Sequence, residues 1–121
     1  PFFFLEPQCA GSTFHQITGS PDAGGILHQS IPSLEPGDGI HDVAAKTVQN
    51  SVDDFCKILR KLLGGGELDL MPQKNSGKLF LNSDFKPAHL RLIYEGFNND
   101  IVDEYLAGNL GSRMPQLTRV V

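Results

Sequence analysis

Two short segments of this chain repeat the same order of residues, a large apolar side chain followed by histidine and glutamine. They are Phe14-His15-Gln16 and Leu27-His28-Gln29, and the residues between them are rich in Gly, Ser, Pro and Asp, which favour turns. In a hairpin centred on Pro21-Asp22, His15 would lie directly opposite His28. Opposed Cβ atoms are about 4.5–5.5 Å apart, close enough for two imidazoles to bind one metal ion or share a proton.

A third histidine extends this pattern into a candidate metal site. His41 follows His28 by the same interval that separates His28 from His15, and Asp42 comes next. Three imidazoles can hold a catalytic zinc ion with one position left for water, while a carboxylate orients one of the rings. The close i, i+2 or i, i+4 pairs of recognisable zinc sites are absent, so ordinary half-exposed hairpin histidines are the alternative. No other cofactor is predicted.

Pro1 is a second candidate for chemistry. An N-terminal proline carries a secondary amine, and burial in an apolar pocket lowers its pKa, so it becomes a base near neutral pH. The opening Pro1-Phe-Phe-Phe-Leu5 resembles the tautomerase superfamily, in which a terminal proline before an apolar strand carries the catalysis. The resemblance implies an enzyme with Pro1 as its base. Members of that family place a long helix directly after the first strand, and residues 6–39 contain no helical pattern.

The start of the chain and its cysteines leave the compartment open. Removal of an initiator Met, removal of a signal peptide and cleavage of a polyprotein all yield a chain that starts at Pro1. The first four residues, Pro1 to Phe4, also resemble the start of a picornaviral protein, although the membrane segments of such a protein are missing. Cys9 and Cys56 either form one disulfide or remain thiols.

Composition limits the classes of protein to which the chain can belong. With 121 residues, 40% of them hydrophobic, we expect one domain over residues 1–121. The formal net charge of −4 argues against nucleic-acid binding, which needs a face lined by Lys and Arg. No apolar run approaches the roughly 20 residues that cross a bilayer, so we expect no membrane span.

The clearest predicted element is a long amphipathic helix over residues 41–63. Asp42 near its start and the Lys and Arg residues near its end complement the helix dipole, and Gly64-Gly-Gly66 ends it. The apolar residues recur at steps of three to five, which predicts that they face the core. They are Val43, Val48, Val52, Phe55, Leu59 and Leu62.

Shorter patterns complete an α+β domain. Phe2 to Leu5 is predicted as a buried strand, 68–71 and 78–82 as a hairpin, and 113–121 as a final strand. Two shorter C-terminal helices are predicted near 87–97 and 100–107. The predicted fold is α+β, with a mostly antiparallel or mixed sheet covered by helices on one face.

The chain contains no signature of nucleophilic catalysis, such as Gly-x-Ser-x-Gly. Loops shaped by Gly and Pro carry binding in many small domains, and they are frequent here, at 33–39 and 72–77 above all. The sequence therefore predicts a small acidic binding module of the secreted-effector or adaptor type, with a protein partner. A proline-based enzyme and a histidine metal site remain the alternatives, and the oligomeric state is open.

Overall fold

The structure is a computed structural model that describes residues 2–73 and 80–121. It contains an antiparallel sheet of β1 (Ser12–His15) and β2 (Ile26–Ser30), and a long helix α1 (Ile40–Leu63). Two short helices follow, α2 (Pro87–Arg91) and α3 (Ile101–Leu106). The described residues also form 3-10 helices at Phe2–Phe4, Pro7–Cys9 and Asn82–Asp84 and a π-helical turn at Leu92–Gly96. The fold is α+β, as the sequence predicted.

The hairpin of β1 and β2 is offset by one residue from its predicted register. Phe14, not His15, pairs with His28, and a bulge after Phe14 leaves His15 opposite Ile26. Successive side chains of a strand point to opposite faces, so a slip of one residue changes which side chains meet. The predicted pairing of His15 with His28 is therefore wrong.

The long helix begins and ends where its sequence indicates. The Asp42 carboxylate accepts a hydrogen bond from the Gly39 N–H at 2.9 Å, which satisfies a backbone donor at the helix start. Gly64 caps the end, and Gly65 follows with a φ of +78°, a conformation that glycine adopts without strain. The predicted helix over 41–63 is confirmed.

The prediction that the apolar side chains of α1 all face the core is wrong. Val48, Val52, Phe55, Leu59 and Leu62 are exposed, whereas Val43 and Ile58 are buried. The step of five from Val43 to Val48 turns about 140° around a helix, so these two valines lie on different sides. A more polar face of α1 packs on the hairpin instead, with Asn50, Asp54 and Ile58 one turn apart along it.

The hydrophobic core lies at the N-terminal end of α1. Val43 packs there with Ile93 of the π-helical turn and with Ile101 and Val102 of α3, and Ala10 closes the cluster. Gly39 permits close packing beside this core, because a Cβ at that position would collide with the side chain of Asn99. The C-terminal third of the chain is thus attached to the start of the helix.

Three predicted strands take other forms. Phe2 to Leu5 contains a 3-10 helix with Phe3 and Phe4 exposed, so the predicted buried strand is wrong. Residues 113–121 form no regular strand, although the Thr118 carbonyl oxygen accepts a hydrogen bond from the Gln29 N–H of β2. The predicted hairpin over 68–82 lies partly outside the described residues, and Met71 instead makes an isolated bridge with Ile26.

None of the helices in the described ranges is both long enough and apolar enough to cross a bilayer.

The orientation of α1 predicts the order of two substitutions. Ile58→Ala should lower the free energy of unfolding by about 2–5 kcal/mol, because it leaves a cavity under the helix. Phe55→Ala should cost about 1 kcal/mol, because its ring is half exposed and stacks on Phe14. Urea denaturation of dilute protein measures both values, and a larger cost for Phe55→Ala would show that its face is the buried one.

Candidate functional site

The residues predicted as a metal site lie in separate surroundings. His15 is near Asp22, with 3.6 Å between Nε2 and Oδ1, and His41 Nε2 lies 2.8 Å from the Tyr94 hydroxyl. Asp42 caps its own helix through Gly39 rather than orienting an imidazole. Among the described residues, no group of three or more His, Cys, Asp or Glu side chains is placed to hold a metal ion. The metal site stays a prediction from residue types alone.

His28 is the one predicted site residue at the centre of a buried polar cluster. Its exposure is 2%, and its Nδ1 lies 3.2 Å from the Val120 backbone N. Since a backbone N–H can only donate, Nδ1 is the acceptor and Nε2 carries the proton, which it donates to Asp54 Oδ2 at 3.1 Å. Both ring nitrogens are therefore occupied by protein groups, which suits a structural role.

The carboxylate of Asp54 is held in its charged form. Burial raises the pKa of Asp54, but the hydrogen bonds from Lys57, His28 and Ser30 outweigh this effect. The pKa of the carboxyl therefore lies below its ordinary value of 3.8. The Lys57 Nζ lies 2.8 Å from Asp54 Oδ1. The hydrogen bond from His28 to Asp54 therefore joins β2 to α1, and the hydrogen bond from the Val120 N–H to His28 joins the C-terminal segment to β2.

Pro1, the predicted catalytic base, lies outside the described residues. Cys9 and Cys56 are both free thiols, and Cys56 is exposed on α1, so the disulfide alternative is not realised.

The loop at 33–39, predicted as a binding loop, is held against α1 by ion pairs. Lys46 contacts both Glu35 and Asp38 at 2.8 Å.

An open aromatic groove lies on the surface of the described residues. Its volume is about 610 Å³, within the range of ligand-binding clefts. It runs between the N-terminal 3-10 helix and the segment from residue 80 to Ile93. Five of the eight phenylalanines of the chain line it: Phe2, Phe3, Phe4, Phe80 and Phe85.

The aromatic rings of the groove contact one another in tilted and edge-on arrangements. Phe3 and Phe4 meet with centroids 5.3 Å apart, and Phe4 and Phe80 with centroids 5.5 Å apart. The His89 ring of α2 lies 4.1 Å from the ring of Phe3 and 5.9 Å from that of Phe85. Such pairs are favourable because the edge of one ring carries the opposite partial charge to the face of another.

The polar groups of the groove are few and lie among these rings. His89 Nδ1 accepts a hydrogen bond from the Lys86 N–H at 3.2 Å, so its Nε2 is the nitrogen left to contact a ligand. Glu6 pairs with Arg113 at 3.1 Å, and Asp84 accepts from the Leu81 N–H at 2.8 Å. The groove thus offers apolar contact surface, with one imidazole and two carboxylates near it.

Sequence reasoning missed this site because its two halves are far apart in the chain. The run Phe2-Phe-Phe4 reads as a buried strand, and nothing local links it to Phe80 or Phe85. The available signal was compositional, since five of the eight phenylalanines lie in two short segments, residues 2–4 and 80–85.

No protein-family model, curated protein or solved structure matches this chain.

The lowered pKa of Asp54 predicts an acid-sensitive contribution to stability. When the pKa of a carboxyl is lower in the folded than in the unfolded state, its charged form stabilises the fold. This stabilisation is complete at pH values above the unfolded-state pKa, and it is lost as the pH falls through the folded-state pKa. Asp54→Asn should therefore cost about 1–3 kcal/mol at neutral pH, and the difference from wild type should shrink as pH falls below 3.8.

Chemical denaturation of the two proteins across pH 2 to 7 measures this difference directly. Asp22→Asn is the matched control, since the Asp22 side chain is almost fully exposed. A difference between wild type and Asp54→Asn that stays constant with pH would contradict the role of the charge.

Proposed function

We propose that this chain is a protein-binding module that accepts an apolar segment of its partner in the aromatic groove. The observation that carries the proposal is the concentration of five phenylalanines in one open cleft. Four of these rings are 43–63% exposed, namely Phe3, Phe4, Phe80 and Phe85. Exposing so much apolar ring surface to water is unfavourable. An exposed apolar cleft of this kind marks a surface that is covered when the protein works.

The openness of the groove favours a protein segment over a small molecule. Small-molecule sites enclose about 70–90% of their ligand. Here the rings form a cleft that opens to solvent, so a ligand is covered on one side only. A peptide strand or helix that places two or three apolar side chains on the rings suits this shape, because the partner's own body covers the other side.

The charges near the groove indicate the flanks of the partner segment. Asp84 and Glu6 line it, Glu6 in an ion pair with Arg113, and the chain as a whole carries a net charge of −4. Lys or Arg residues beside the apolar anchors would be attracted over a Debye length of about 8–10 Å. The proposed ligand is thus a short apolar segment with basic flanks.

Selection from displayed random peptides tests this function. We expect wild-type protein to enrich peptides with Phe, Leu or Trp anchors and basic neighbours. Their affinity should fall about tenfold or more in Phe85→Ser, because truncating a central anchor contact costs more than 1 kcal/mol. Phe85 is 63% exposed, so the substitution should leave the fold intact.

Phe55→Ser is the matched control, because this ring is also about half exposed but lies on α1 away from the groove. Its peptide affinity should equal that of wild type. Selection of no peptide, or equal loss in both variants, would contradict binding in the groove. Enrichment of peptides that instead depend on Glu35 or Gln73 would favour the Gly- and Pro-rich loops.

A further inference from the structure

The exposed apolar side chains of α1 form a continuous stripe with coiled-coil spacing. The stripe is defined by Val48, Val52, Phe55, Leu59 and Leu62, which follow one another at steps of four, three, four and three. This alternation is the a and d pattern of a heptad repeat. Side chains at these positions stay on one side of the helix, where a second helix can pack in a parallel or antiparallel direction. A helix that packs on the core of its own domain shows the same spacing, so the exposure of the stripe distinguishes it rather than its period.

No element in the described part of the chain is suited to cover this stripe. The exposed fractions of its members are 64, 57, 48, 39 and 47%, and Leu63 beside it is 87% exposed. The helices α2 and α3 have five and six residues, whereas α1 has 24 and is about 36 Å long. A partner helix of comparable length is therefore needed, and α1 of a second copy is one that every molecule supplies.

The area of the stripe meets the requirement of a small dimer interface. A fully exposed Val, Leu or Phe residue presents on the order of 150–200 Å², so the stripe and Leu63 leave about 600 Å² of surface uncovered on each copy. Two copies would together bury about 1,200 Å², at the lower end of specific interfaces. Since α1 is already folded on the hairpin, pairing does not carry the cost of helix nucleation.

We infer that the chain forms a homodimer in which α1 packs on α1 of a second copy, with the stripe as the apolar seam. This inference is independent of peptide binding, because no residue of the stripe lines the aromatic groove.

Sedimentation equilibrium over a range of protein concentrations tests the inference. Wild type should show a monomer–dimer equilibrium, and Leu59→Glu should weaken it by about 100-fold or more, because pairing would bury an unpaired charge. Leu59 is exposed in the single copy, so circular dichroism should show unchanged helix content. Leu106→Glu is the matched control, at 44% exposure on α3, and should dimerise as wild type does.

A wild-type chain that stays monomeric at high concentration would overturn the dimer, as would a dimer that survives Leu59→Glu.

Discussion

The buried contact between His28 and Asp54 determines how the long helix lies on the hairpin. His28 uses both ring nitrogens, one toward Asp54 of α1 and the other toward Val120, so a single imidazole holds three segments of the chain. A buried polar group that loses its partner costs about 1–3 kcal/mol, more than the hydrogen bond contributes when it is made. Rotating α1 to bury its apolar stripe would break this contact and leave the buried His28 Nε2 without its acceptor. The polar side of the helix therefore faces inward.

That orientation separates the apolar surface of the chain into two parts. The core gathers at the start of α1, where Val43 meets Ile93 and the residues of α3. Ile40 and Ile93 belong to the packing of this core and also line the aromatic groove, so the groove rests on the best-packed part of the molecule. The stripe along the rest of α1 stays outside. The groove has a rigid floor as a result, which favours binding because little has to be ordered when a partner arrives.

The sequence predicted α1 and the first hairpin better than it predicted their faces. The bounds of α1 followed from local signals, Asp42 near its start and Gly64 at its end, and these act within a few residues. The hairpin was also predicted, but its register depends on a bulge after Phe14 that moved His15 away from His28. The side on which α1 docks depends on Asp54 meeting a histidine 26 residues earlier. A contact over that separation leaves no periodic trace in the sequence.

The two exposed surfaces also have a geometric relation, because one helix contributes to both. Ile40 at the start of α1 lines the groove, and the stripe begins two turns later at Val48. Since Ile40 lies outside the stripe, a dimer joined along the stripe would present two separate grooves. A partner with two apolar segments gains from both only when its linker spans the distance between them, because an unreachable second site adds no effective concentration.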